Sequence, residues 1–414
     1  MERGAGGGMT SSAAAVAARV EELLDRRTAA NDRTFEVEAE RVARLCHRLA
    51  ERFARGGRLL AFGASPQARS DARHVAVEFV HPVIVGKRAL PAIGIGREGG
   101  GLEPQLDLVA EPGDIVIAFG TDEGSKETRG ALAAAARRGC LTIAFSAGAG
   151  AAWELEPASD DPFVRQELVE TCYHVLWELV HVFFEHRGLL EGRQSRRVYD
   201  SGASSFLYPF LAEGEHDLEA VVDDVRRSVR MKAEEVGELR AQTLGEGRDR
   251  LVAAAAVLRE TFGTGGKLLV LGNGGSATDA MDAVADFRAA PQGWPPRPAL
   301  DLTEDPAILT ALANDIGPEA LFKRQVIAYG RDGDAVLAIS TSGSSANVVE
   351  ALVEARRRGL RTVALVGYDG GRVETEGLAD VAVVTRSEHV PRIQEAQASA
   401  YHVLRELVEL PAEA

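Results

Sequence analysis

GDIVIAFGTDEGSKETRGALAAAARRG (113–139) and GDAVLAISTSGSSANVVEALVEARRRG (333–359) align without a gap, at a constant offset of 220 positions. Each is a Gly-Asp turn, an apolar run of strand length, a loop rich in glycine and hydroxyl residues, and an alanine-rich helix closed by Arg-Gly. Strand followed by helix, repeated, is the signature of βαβ units. The flanks repeat as well. FARGGRLLAFGAS (53–65) matches FGTGGKLLVLGNG (262–274), and VRQELVETCYHVLWEL (164–179) matches RIQEAQASAYHVLREL (392–407). Self-similarity of this length points to two copies of one supersecondary plan in a single chain.

Within each half, apolar runs (LLAF, IVIAF and LTIAF; LLVL, AVLAIS and TVALVG) alternate with helical stretches. Continuous rather than alternating apolar strands are what a parallel sheet needs when helices cover both faces. The expected fold is therefore α/β: two tandem αβα sandwiches, each around a central parallel sheet. The expected boundaries are a tail (1–12), a first domain (13–191), a polar linker (192–215) around GRQSRRVYDSGASS, and a second domain (216–414). Long helical segments at roughly 13–55 and 216–262 exceed what one domain needs and are expected to pack the halves together.

A length of 414 residues, with 45% hydrophobic and 26% charged, fits two globular domains of about 200 residues. The formal charge of −15 excludes nucleic acid or an anionic membrane as the main partner. It leaves room for a small anion held by backbone N–H groups. Cys46, Cys140 and Cys172 are odd in number and lack CxxC spacing, so a cytoplasmic location is expected. No apolar run reaches the roughly 20 residues of a membrane span, and the opening lacks a signal-peptide core.

Two loops of the second half have phosphate chemistry. Gly272-Asn273-Gly274-Gly275-Ser276 joins a strand to a helix, where glycines admit an anion to the backbone and the helix N-terminus favours it. Ser340-Thr341-Ser342-Gly343-Ser344-Ser345 follows another strand and offers five hydroxyls, more than a helix cap uses. Both loops stand at strand carboxyl ends, where open α/β sheets bind ligands.

GNGGSATDAM (272–281), ISTSGSSANV (339–348) and RIQEAQASAYH (392–402) together resemble the sugar isomerase (SIS) fold, and within it the bacterial phosphoheptose isomerases. The resemblance covers nearly all of 220–410 and, more faintly, 15–190. It implies a flavodoxin-like sandwich and conversion of sedoheptulose 7-phosphate into D-glycero-D-manno-heptose 7-phosphate, often with zinc. It also implies that Gly274, Ser276, Ser340, Thr341, Ser342 and Ser345 hold phosphate, and that Asn273, Asp315, Gln394 and His402 line the sugar site. In that family a histidine, a glutamate four residues on, a glutamine and a second histidine surround the metal and the reacting carbons. The second half keeps Gln394 and His402 but has Asp282 and Asp286 in the other two places. The first half has all four, as His74, Glu78, Gln166 and His174.

The first half in turn lacks the phosphate loops. Gly63-Ala64-Ser65-Pro66-Gln67 stands for GNGGS, and Asp122 and Glu123 stand in the serine loop, where carboxylates repel a phosphate dianion. Reciprocal losses imply one composite site: a cradle from the second half with Glu78 as base and His174 as its acid–base partner. His74, Glu78, Gln166 and His174 would be ligands of zinc or another divalent ion. A homo-oligomer, a dimer of pseudo-dimers, is expected. The competing readings are a non-catalytic sugar-phosphate sensor or accessory protein, and an isomerase of a different phosphosugar.

Overall fold

The computed structural model of the protein describes residues 11–83, 87–120, 125–185 and 217–410. The tail's first ten residues, the expected linker 192–215, and Asp122 and Glu123 lie outside the described residues. The chain forms two compact units, Ala30–Glu235 and Met1–Ala29 with Val236–Ala414. We call them the amino and carboxyl units.

The amino unit is built from most of α1 (Ser11–Ala54), then β1 (Leu59–Gly63), α2 (Pro66–Val80), β2 (Ala92–Ile95), α3 (Leu102–Val109), β3 (Ile115–Phe119), α4 (Lys126–Arg137), β4 (Leu141–Ala144), β5 (Trp153–Glu154), α5 (Pro162–Glu185) and most of α6 (Leu218–Arg240). Its sheet is parallel throughout, in the order β2-β1-β3-β4-β5. Strand residues divide with period two. Leu59, Ala61, Ile115, Ile117, Leu141 and Ile143 enter one core, while Leu60, Phe62, Val116, Ala118 and Ala144 enter the other. This double burial is why the strands read as unbroken apolar runs.

The carboxyl unit continues with α7 (Arg248–Gly263), β6 (Leu268–Leu271), α8 (Gly275–Arg288), β7 (Ala299–Asp301), α9 (Pro306–Asp315), α10 (Leu321–Tyr329), β8 (Ala335–Ser340), α11 (Ala346–Arg357), β9 (Arg361–Gly367), α12 (Gly371–Thr375), β10 (Val381–Thr385) and α13 (Val390–Glu409). Its parallel sheet runs β10-β9-β8-β6-β7. Read from β7, this is the same order as in the amino unit, and both sheets are the flavodoxin-like arrangement. Successive strands are added in opposite directions on either side of β1 and β6, which places the topological switch point between β1 and β3, and between β6 and β8.

The repeated Gly-Asp has a physical reason. Gly113 (φ 106°) and Gly333 (φ 86°) occupy a backbone region that side chains disfavour. The buried Asp114 accepts from the backbone N–H of Arg58 (2.8 Å) and of Glu111 (2.9 Å), and Asp334 accepts from those of Lys267 and Arg331 (2.9 Å each). Each aspartate thus ties together the starts of two neighbouring strands.

Two features depart from the boundaries read from the sequence. The long segment expected at 216–262 is broken by a π-helical turn, Ala241–Glu246, into α6 and α7. The domain boundaries 13–191 and 216–414 also differ from the units. Val16, Val20 and Leu23 of α1 belong to the carboxyl unit's core, whereas Val221, Val222, Val225, Val229 and Ala233 of α6 belong to the amino unit's. Among the described residues no helix is long and apolar enough to cross a membrane.

Candidate functional site

In the carboxyl unit the glycine loop follows β6 and opens α8. A Cβ on Gly272 would lie 2.2 Å from the Ser276 carbonyl oxygen, so only glycine permits this close turn. Gly274 (φ 57°) precedes the helix and gives it no side-chain cap, and the first turn has no acidic residue. The serine loop follows β8 and opens α11, whose first residue is preceded by Ser345, again without a side-chain cap. Gly343 (φ 60°) lets the loop pass Gly370, whose carbonyl oxygen a Cβ would meet at 2.2 Å. The Ser340 hydroxyl accepts from Gly343 N–H (3.1 Å), and that of Ser342 accepts from Ser344 N–H (3.2 Å) while lying 3.5 Å from the Ser345 hydroxyl. The hydroxyls thereby fix the loop's own backbone.

The two loops are joined at the switch point. Asn273 and Asn347 exchange a pair of amide hydrogen bonds, each 2.9 Å. Gln397 of α13 donates to the Ser340 carbonyl at 3.4 Å. Two helix N-termini open beside one another, each with N–H groups and a positive dipole end for an anion. Asp315 stands on a different helix. It ends α9, exposed, and its carboxylate accepts from the Asn314 amide at 2.7 Å.

The matching helices of the amino unit are closed. Ser65 caps α2 by accepting from Ala68 N–H (3.1 Å), with Pro66 at the first helical position. Ser125 caps α4 by accepting from Thr128 N–H (3.2 Å), and Glu127 stands in its first turn. One N–H group of each first turn is satisfied from within, and the Glu127 carboxylate repels an anion.

What the amino unit does assemble is an imidazole–carboxylate cluster. His74 and Glu78 lie one turn apart on α2, and His174 reaches them from α5. The Nε2 atoms of His74 and His174 are 3.3 Å apart, and Glu78 Oε1 is 3.9 Å from His74 Nε2. All three side chains are buried. Tyr173 packs against both imidazoles, with ring centroids 5.4 Å from His74 and 5.0 Å from His174. Burial, and then the neighbouring His174, hold His74 well below the usual histidine range, so its ring is neutral at physiological pH.

The donor set fits a metal. Two nitrogens bound tetrahedrally to zinc at about 2.0–2.1 Å stand about 3.3–3.4 Å apart, which is the observed separation. Neutral imidazole is also the protonation state a metal requires. Gln166 comes from α5, two turns before His174. It is half-buried and gives its amide to Asp71 Oδ2 at 3.4 Å, one turn before His74. Asp71 and Tyr173 are neighbours that the sequence reading missed; their positions on the cluster's own helices were the available signal.

In the carboxyl unit the corresponding positions also converge. His402 Nε2 of α13 lies 3.5 Å from Asp282 Oδ2 and 3.3 Å from Asp286 Oδ2, both on α8. The Tyr401 hydroxyl donates to Asp282 at 2.8 Å. The histidine absent from the helix after GNGGS is met here by one from α13. His402 therefore faces the two aspartates, while Gln394, two turns earlier, is buried towards the start of α13.

Comparison with known proteins places these features. Residues 233–367 match the family model of the SIS domain. A phosphoheptose isomerase of Geobacter sulfurreducens is 40% identical over 193 residues, 46% of this chain and 97% of that protein. One from Chlorobium phaeobacteroides is 43% identical over 196 residues, 46% of this chain and 82% of its own. Among solved structures, the C-terminal domain of glucosamine-fructose-6-phosphate aminotransferase from Francisella tularensis covers 98% of this chain and 97% of its own, with a TM-score of 0.58 at 9% identity. That likeness concerns the fold alone, and it extends through both units.

Proposed function

The chain belongs to the SIS-domain family, and from that premise we propose that it is a sugar-phosphate aldose–ketose isomerase of phosphoheptose isomerase type. Its substrate on this reading is sedoheptulose 7-phosphate and its product D-glycero-D-manno-heptose 7-phosphate. The observation that carries the reading is the pair of uncapped helix N-termini, with the glycine and serine loops locked together by Asn273 and Asn347. Ser276, Ser340, Thr341, Ser342 and Ser345, with the N–H groups near Gly274, hold the phosphate. Asn273, Asp315 and Gln394 face the sugar.

The proton-moving groups are those of the other half. Isomerisation takes a proton from the carbon beside the carbonyl and returns it to the neighbouring carbon through an enediol. Glu78 is the base, and His174 exchanges protons with the two oxygens. His74, Glu78, Gln166 and His174 would hold a divalent ion, zinc by donor type, whose contribution is polarisation of those oxygens. Glu78 approaches His74 less closely than His174 does (3.9 against 3.3 Å), which favours its role as base over that of a tight ligand. Remote fixation of the phosphate lowers the barrier by positioning the reacting end.

A single composite site is part of the proposal, as is assembly into a homo-oligomer. The support for the composite site is reciprocal. Where helix N-termini are closed by Ser65 and Ser125, the His–Glu–His cluster is complete; where they are open, aspartates occupy two of its places.

The test is a coupled assay with sedoheptulose 7-phosphate, with and without chelator. Glu78→Gln is expected to abolish turnover and retain phosphosugar binding, and Ser342→Ala to weaken binding and lower turnover with it. Undiminished turnover in either variant overturns the composite site. Phosphosugar binding without any turnover in the unmodified protein selects the sensor reading instead.

A further inference from the structure

Tyr368 has a backbone that no other side chain in the described structure adopts. Among the described residues every other positive φ belongs to a glycine, whereas Tyr368 sits at 52°. The left-handed region crowds a Cβ against the following carbonyl oxygen, and for a residue as bulky as tyrosine it is an outlier. Strained residues of this kind collect at ligand sites, where the surrounding structure holds them in place.

The internal repeat supplies a control. Arg361 of β9 pairs with Ala335 of β8 as Leu141 of β4 pairs with Ile115 of β3, so the offset of 220 holds across these strands. By that offset Tyr368 falls on Gly148 of the amino unit. Gly148 has a φ of 73°, and a Cβ on it would meet nothing within 4 Å. The turn after the strand is therefore left-handed in both units, and glycine makes it without strain. The unit whose helix ends are capped has the glycine. The unit whose helix ends are open has a tyrosine in the same strained place.

The neighbours of Tyr368 belong to the phosphate loops. β9 ends at Gly367, where a Cβ would run into the Thr341 carbonyl oxygen and the Ile393 side chain. Thr341 is part of the serine loop, and Ile393 directly precedes Gln394 on α13. Beyond Tyr368 the chain stays on the serine loop: Arg372 N–H donates to the Ser344 hydroxyl (3.1 Å) and Val373 N–H to the Gly343 carbonyl (3.0 Å). Tyr368 is thus anchored at the seam between the cradle and Gln394. It is 36% exposed, and its hydroxyl bonds to no described residue.

On the sugar-phosphate reading of this cradle, we propose that Tyr368 is a specificity-determining residue of the site. Its ring lies against the carbon chain of the bound phosphosugar, and its hydroxyl meets a sugar hydroxyl. A tyrosine suits both tasks, because its body is apolar and its tip is polar. The loops hold the phosphate without it. Tyr368 therefore distinguishes a phosphosugar from bare phosphate.

The experiment titrates the full chain calorimetrically with sedoheptulose 7-phosphate and, separately, with inorganic phosphate. Tyr368→Asn introduces a residue that tolerates the left-handed region. It is expected to melt no lower than the unmodified protein and to bind inorganic phosphate within about twofold of it. Its affinity for sedoheptulose 7-phosphate is expected to fall at least about fivefold, the effect of losing one hydrogen bond. Tyr368→Phe keeps the ring and is expected to lose less than Tyr368→Asn. Unchanged sugar-phosphate affinity in Tyr368→Asn overturns the proposal. So does an equal loss of inorganic phosphate affinity, or a lowered melting temperature, since either makes Tyr368 a prop of the loop. If the unmodified chain does not bind sedoheptulose 7-phosphate, the functional reading falls and the proposal with it, a result distinct from the other three.

Discussion

Serine is used in opposite ways by the two halves, and a pair of alanine substitutions separates the uses. In the carboxyl unit Ser342 accepts from Ser344 N–H and can turn its own proton from the Ser345 hydroxyl to a ligand. A hydrogen bond to a charged group contributes about 1.5–3 kcal/mol. Ser342→Ala is therefore expected to weaken phosphosugar binding about 10- to 150-fold, with a stability change within about 0.5 kcal/mol, as for a surface loop. In the amino unit Ser125 accepts from Thr128 N–H at 3.2 Å as a helix cap. Its alanine variant is expected to cost about 1 kcal/mol, a shift of about 2–4 °C in the melting of a unit of this size. Binding should be untouched. Isothermal titration with sedoheptulose 7-phosphate reads the first effect and scanning calorimetry the second. Wild-type affinity in Ser342→Ala, or lost affinity in Ser125→Ala, would refute the assignment of the anion site to the carboxyl half.

Gly343→Ala combines a left-handed backbone with a Cβ placed 2.2 Å from the Gly370 carbonyl oxygen. It is expected to destabilise the protein by more than about 1 kcal/mol and to remove phosphate binding, checked by denaturant melts and titration. Asp334→Ala removes the acceptor of Lys267 and Arg331 N–H groups, and is expected to cost about 2–4 kcal/mol while leaving phosphosugar affinity in the remaining folded protein unchanged. His74 is depressed by burial and by His174, so the folded state resists the proton that the unfolded chain takes up near pH 6.5. Its contribution to stability is full above that pH and falls as pH drops below it, by up to about 1.4 kcal/mol per unit, until the folded form also titrates. Urea midpoints between pH 7.5 and 5.5 measure this slope, which His74→Gln should flatten.

The parallel αβα layout and both phosphate-type loops were legible because strands covered on both faces read as unbroken apolar runs, and turns with special backbone angles force glycine. β2, β5, β7 and β10 were not among the runs read as strands; the first three are two to four residues long and only partly buried, so they lack an unbroken apolar run. The exchange of helix ends was missed for another reason. The apolar stripe of α1 shows that Val16, Val20, Leu23 and Phe53 are buried, but periodicity does not say against what. At the candidate sites, Ser65 was read only as part of a lost phosphate loop, not as the helix cap it is. Pro66 after Ser65 was the sign of an N-cap. Asp282 and Asp286 looked barren on their own helix because their histidine, His402, arrives 116 residues later, from α13.

The passage of α1 from one core into the other has a practical consequence for anyone dividing the gene. A break anywhere in 192–215 gives one fragment carrying Val16, Val20 and Leu23 without the interior they fill, and another carrying Val221, Val222, Val225 and Val229 in the same plight. Each orphaned aliphatic side chain forfeits about 1.5–3 kcal/mol of burial. Separately produced pieces should clump, whereas pieces synthesised together should reconstitute, so nicking by a protease would leave a working molecule behind.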